Sequence, residues 1–195
     1  MIQKEKSETR ERIIKAVLKI IGQKGTVKFT VREISKVANV NLSAVNYYFR
    51  STSNLLNEVE IYFAEKVQEV SSILGKEDSY TKLTLIEWAK AMMELLSKNT
   101  GIIWIIAKKI LNKGSPGIFI EKLIDENGVF LKKIISKLTN SNDDQFLAEK
   151  VTQLISGISF PIIISKGLGK DIGQNFNDFT VIDRYASSVV SSILK

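Results

Sequence analysis

Residues 43–50 read SAVNYYFR, and the polar members Ser43, Asn46, Tyr47, Tyr48 and Arg50 offer donors and acceptors suited to base edges and phosphate oxygens. On a helix Val45 and Phe49, four apart, would share an inward face and leave Ser43, Ala44, Asn46 and Tyr47 outward. Small residues at 43 and 44 allow close approach to a partner surface. Other chemistry is sparse. Histidine and cysteine are both absent, which excludes disulfides, thiol chemistry, Cys/His zinc sites and histidine acid/base catalysis together. The carboxylate pairs Glu58/Glu60 and Glu65/Glu69 could suggest acid/base work, but beside lysines on an amphipathic pattern they read as a solvated helix face. The glycines of GLGKDIG (167–173) follow a helical stretch and precede no strand pattern, so they make a poor nucleotide loop. No cofactor or metal site is expected.

The run 43–50 needs a support, and the preceding residues supply one. Thr30 can accept from the amide of Glu33 while the Glu33 carboxylate reaches back to the Thr30 amide, a capping box, with Phe29 and Ile34 placed as a hydrophobic staple. Ile34, Val37 and Ala38 recur at helical spacing until Asn39, which tolerates a left-handed backbone. Val40 can fill the turn, and Asn41 is placed to cap the next helix, Leu42 to about Tyr48. This is a helix-turn-helix, in which the second helix enters the major groove and the first crosses the backbone. An ordinary helical hairpin within an all-α domain is the plain alternative. Charge separates the two readings. Residues 1–55 hold 11 Lys+Arg against 4 Glu, and residues 56–195 hold 17 against 17, so the whole net charge of +7 sits with the helix-turn-helix. A phosphate-facing patch needs that concentration.

The order T-x-R-x-I-x-x-x-A-x-V, then YYF, then a leucine resembles the DNA-binding domain of TetR-family transcriptional regulators, through Thr30, Arg32, Ile34, Ala38, Val40, Tyr48, Phe49, Ser51 and Leu55. Asn39, Asn41, Asn46 and Thr52 stand where the family usually has Gly, Ser, Tyr and Lys; the first two keep the turn and cap chemistry. The resemblance implies DNA contact by Thr30, Arg32, Asn41, Leu42, Ser43, Ala44, Asn46, Tyr47, Tyr48 and Arg50. It also implies an all-α chain with a helix-turn-helix domain at 1–51, and a helical ligand-binding and dimerisation domain at 52–195 entered through a linking helix. The function implied is that of a repressor bound as a homodimer to a near-palindromic double-stranded DNA operator and released by a small-molecule effector. A ligand-independent chromosome-binding factor, or an all-helical enzyme, are the competing functions.

The remaining chain supports that frame. Ser7 or Thr9 can cap a first helix carrying Ile13, Ile14, Val17, Leu18, Ile20 and Ile21, preceded by a loose arm in which Lys4, Lys6 and Arg10 can meet phosphate. The linking helix is expected from about Thr52 to Gly75, and further helices at 79–97, 101–112, 116–138, 143–168 and 178–194, the fourth bent at Pro161. Phe63, Trp88, Met92, Met93, Trp104, Phe119 and Leu123 could line a cavity for an apolar or amphipathic effector, although such side chains are more often core. On the last two helices Leu147, Val151, Leu154, Ile155, Ile158, Ile182, Tyr185, Val189 and Ile193 form apolar stripes. The resemblance assigns these stripes to the dimer interface, and core packing within one subunit is the alternative. The N-terminus lacks a signal-peptide core and no segment approaches 18 uninterrupted apolar residues, so a soluble cytoplasmic protein away from membranes is expected.

Overall fold

The computed structural model describes residues 2–75, 80–111, 117–167 and 174–195, with the side chains of 6–75, 80–109, 111, 128–165 and 174–195. It is all-α, with nine α-helices among the described residues: α1 Ile2–Lys24, α2 Val31–Ala38, α3 Leu42–Phe49, α4 Thr52–Ser71, α5 Lys82–Lys98, α6 Gly101–Leu111, α7 Gly117–Thr139, α8 Asp144–Gly167 and α9 Phe179–Ile193. Their ends follow local chemistry. Thr81 and Thr84 cap α5 by exchanging amide-to-hydroxyl bonds, the Asp143 carboxylate accepts from the amides of Gln145 and Phe146 at the start of α8, and Asp178 accepts from Thr180 at the start of α9. The hydroxyl and amide of Thr180 hold the Asp178 carboxyl below its ordinary range.

The chain divides into two compact units, one of residues 1–64 and 99–116, the other of 65–98 and 117–195. Helix α4 therefore belongs to both, its first part to one and its last to the other.

In the first unit α1 is the central helix. Ile13, Ile14, Ala16, Val17, Leu18, Ile20 and Ile21 are all buried, leaving only Lys15 and Lys19 of this stretch outside. An apolar face this broad wraps more than half of the helix and needs more than one neighbour to cover it. Helices α2 and α6 both pack against it. The approach of α6 rests on glycines: a Cβ on Gly101 would fall inside contact distance of the Leu18 carbonyl, and one on Gly22 would collide with the Thr100 hydroxyl. Two expectations are corrected here. Residues 2–9 are helical rather than a loose arm, because α1 begins at Ile2, and Arg10 is held in an ion pair with Glu58 of α4. Glu60 is not on a solvated face. It is buried, and its Oε2 accepts from Lys109 Nζ of α6 at 2.6 Å, so the charge is matched by a partner 49 residues away.

In the second unit α5 packs against α8, α9 and a 3₁₀ turn at Ser72–Leu74, while α8 packs against α7 and α9. The core is built from Leu85, Trp88, Ala89 and Met93 of α5, Leu131, Ile134 and Ile135 of α7, and Leu154, Ile158 and Ile162 of α8. A Cβ on Gly157 would come within 3.0 Å of Val189, so α8 and α9 are in close contact there. An ion pair between Lys90 and Asp183 ties α5 to α9, and the Asp183 hydrogen bond raises the Lys90 ammonium above its ordinary range. Residues Asp144–Ser165 are long and apolar enough, by length and composition, to cross a membrane. Helix α8 continues through Pro161, and its residues Leu154, Ile158 and Ile162 are spent on the unit's own core.

Gly101→Ala is expected to destabilise the first unit by about 1–3 kcal/mol, because the new methyl meets backbone rather than a movable side chain. Thermal denaturation checks this, and an unchanged midpoint would show that α1 and α6 can separate at little cost.

Candidate nucleic-acid interface

The turn between α2 and α3 is closed by backbone conformation and by a side chain from α1. Thr30 accepts from the Glu33 amide at 3.2 Å, and the Glu33 carboxylate accepts from the Thr30 amide at 2.8 Å, completing the capping box. Lys24 adds a further bond to Glu33 at 2.5 Å. The Lys24 ammonium first, then the Thr30 amide and hydroxyl, hold the Glu33 carboxyl below its ordinary range. At the other end Asn39 takes φ 51° and ψ 54°, the left-handed conformation, so that its amide reaches back to Lys36 and the Val40 amide to Ser35. The carbonyls of Ala38 and Asn39 accept from the Arg12 guanidinium. Nothing local in the sequence marks Arg12 for this role, since its partners lie 26 and 27 residues away.

Helix α3 then projects from the unit with one face buried. Val45 and Phe49 are each 2% exposed, whereas Ser43, Asn46 and Tyr47 are exposed, as are Leu42, Asn41, Arg32 and Arg50. Ala44 and Tyr48 are half-buried, and the Tyr48 ring meets Tyr47 edge-on at 5.3 Å between centroids, which supports the outward ring. Two local expectations change. Asn41 occupies the N-cap backbone conformation, but its side chain makes no capping bond; its carbonyl instead accepts from Ala44. The Thr30 hydroxyl is engaged in the expected capping box, on a residue that is itself exposed. Val37 is 43% exposed, so α2 buries only Ile34 and Ala38.

Arg50 ends α3 at φ 58° and ψ −39°, and the Ser51 amide donates to the Phe49 carbonyl at 2.5 Å across it. This is a tight three-residue reversal of the kind that strains a residue bearing a Cβ. Helix α4 starts at once, at Thr52. Lys15, Lys24 and Arg10 are bound in ion pairs with Glu11, Glu33 and Glu58. Lys28, Arg32, Lys36 and Arg50 are exposed and in no ion pair among the described residues, which leaves them available to phosphate.

The residues read as a cavity lining fall in different places. Trp88 and Met92 are buried on α5 in the second unit, as is Met93. Phe63 is buried on α4 in the first unit, and Trp104 on α6 lies over Gly25, where a Cβ would come within 3.1 Å of its ring. Phe119 and Leu123 belong to α7, with side chains outside the described residues. The Trp88 indole Nε1 and the Glu60 Oε1 are buried without a hydrogen-bond partner among the described residues. Of the apolar stripes on α8 and α9, Leu147, Val151, Leu154, Ile158, Ile182 and Ile193 are buried within the single chain, and Ile155, Tyr185 and Val189 are half-buried. Burial also raises the Tyr185 phenol above its ordinary range. Among the described residues no three His, Cys, Asp or Glu cluster as a metal site.

Residues 13–59 match the sequence profile described as bacterial regulatory proteins, tetR family. The chain is 35% identical over 60 residues to YttP of Bacillus subtilis (strain 168), assigned as an HTH-type transcriptional regulator; that match spans 31% of this chain and 29% of YttP. A crystal structure of a Mesorhizobium loti MAFF303099 protein assigned to the TetR family superposes with a TM-score of 0.67 at 17% identity, covering 97% of this chain and 96% of that one. That likeness carries the fold through both units.

Because the folded Glu33 carboxyl titrates lower than it would in the unfolded chain, its stabilising effect is present above the ordinary glutamate range and lost as pH falls towards the folded value. Glu33→Ala is therefore expected to lower the melting temperature at pH 7, by a margin that narrows as pH falls below about 4.3. Melting curves over pH 3–7 check this, and a margin independent of pH would assign Glu33 no ionised role in the cap.

Proposed function

We propose, from the match of residues 13–59 to the tetR family of bacterial regulatory proteins, that the chain is a DNA-binding transcriptional repressor of that family rather than an enzyme. The observation that carries this reading is α3: Val45 and Phe49 are buried, while Ser43, Asn46 and Tyr47 stand outward beside exposed Lys28, Arg32, Lys36 and Arg50. Ser43 and Ala44 let the helix enter the major groove closely, Asn46 and Tyr47 meet base edges, and the cations and the Tyr48 hydroxyl meet phosphate. The reading domain is residues 1–51. It acts as one half of a homodimer on a near-palindromic operator, with two α3 helices about 34–36 Å apart.

Residues 52–195 form the sensing and pairing part. The buried Trp88 indole N–H, without an acceptor among the described residues, supports an effector that is apolar over most of its surface and offers one hydrogen-bond acceptor. Because α4 belongs to both compact units, an effector that binds better when α4 is displaced would lower operator affinity. Pairing would use Phe160, 56% exposed on α8, together with the half-buried Ile155, Tyr185 and Val189. Function in the cytoplasm, on chromosomal DNA, follows from the same reading.

Selection from a randomised duplex pool is expected to return a two-fold-related sequence for the wild type, with affinity falling steeply as salt rises, by about 0.9 counterions per neutralised phosphate. Asn46→Ala should shift the preference at one base position in each half-site, costing about 1–3 kcal/mol. Recovery of no preferred sequence would refute the reading. Phe160→Asp, placed on a side chain already exposed, should leave helical content intact and convert the dimer to monomer in sedimentation. A variant that stays dimeric would move the pairing face elsewhere.

A further inference from the structure

Three consecutive residues of α1 reach two different elements of the first unit. Arg10 pairs with Glu58 and Glu11 accepts from the Tyr62 hydroxyl at 3.3 Å, both on α4. Arg12 turns the other way. Its Nε and Nη2 donate to the Ala38 carbonyl at 3.2 and 2.8 Å, and Nη2 also donates to the Asn39 carbonyl at 2.5 Å. Ala38 is the last residue of α2, and its carbonyl has no following helical turn to bond. Asn39 holds the left-handed conformation that redirects the chain, and α3 begins only three residues later. A planar guanidinium can bridge two adjacent carbonyls, and a positive charge at a helix C-terminus is favourable.

We infer that Arg12 is a positioning residue for base reading, one that fixes the turn aiming α3 and anchors it to the same turn of α1 that grips α4. This goes beyond the proposed function while resting on it. In a free helix-turn-helix the orientation of the second helix depends on a few turn dihedrals. Here the two carbonyls at the pivot are fixed from outside the motif by a side chain that need not touch DNA. A change in α4 that disturbs Glu58 or Tyr62 thereby loads the segment holding the turn. The reading helix can then lose its aim within one subunit, in addition to any change in spacing between two subunits.

The test uses the full chain with Arg12→Gln and Arg12→Lys, measured well below the melting temperature, where a purely global loss of stability leaves the affinity of folded protein unchanged. Amide hydrogen exchange at residues 38–42 of the DNA-free protein should accelerate in both variants, because neither shorter side chain carries the Nε and Nη2 fork that makes all three bonds. Affinity for the selected duplex should fall about tenfold or more in both, the scale of a lost charged hydrogen-bond pair, with the slope of log affinity against log salt unchanged. If Arg12→Lys binds as the wild type does, or Arg12→Gln lowers the slope by about 0.9, Arg12 is a phosphate contact and the inference fails. Unchanged exchange at 38–42 overturns it as well. If the wild type itself selects no duplex, the proposed function fails, and the exchange measurement alone decides whether Arg12 holds the turn.

Discussion

The burial of more than half of the surface of α1 between Ile13 and Ile21 is the constraint from which the N-terminal unit is built. With seven of the nine residues from Ile13 to Ile21 removed from water, no single neighbour could cover the helix, and only Lys15 and Lys19 remain to mark an outer edge. Helix α2 covers one side. Helix α6 covers another, and it can do so only because Gly101 and Gly22 present no Cβ at the crossing. The polar turn at residues 10–12 completes the arrangement by reaching α4 and the turn before α3. Helix α3, itself only eight residues long, depends on this support more than on its own hydrogen bonds.

What the sequence makes legible is what local physics decides. The Thr30/Glu33 box, the left-handed Asn39 and the buried pair Val45/Phe49 all lie within a few residues of one another, and the spacing alone names them. Asn41 shows the limit of even that rule. Its backbone takes the cap conformation, yet its side chain does not close the bond that its residue type allows. Long-range partners are invisible to periodicity. Glu60 reads as solvated because its lysine lies 49 positions away, and Gly101 reads as a helix start because nothing nearby announces the Leu18 carbonyl. The apolar stripes of α8 and α9 illustrate a different gap. Composition reports that a face is buried without reporting by what, and Leu154, Ile158 and Ile182 prove to be covered by their own chain.

Charge shows the same division between count and placement. The excess of Lys and Arg in residues 1–55 is a property of the sequence, but Arg10, Arg12, Lys15 and Lys24 have partners within the unit. Those four shape the fold, and the exposed remainder sets how strongly a polyanion is attracted.

The elbow at Arg50 has a mechanical meaning. Between the end of α3 and the start of α4 stand only Arg50 and Ser51, one of them fixed at a positive φ with an amide bond closed across it. Such a joint has almost no slack. A glycine or a longer loop at this place would widen the range of angles open to the two helices. Arginine at this position therefore combines an exposed charge with a strained backbone conformation that narrows the angles the elbow can take.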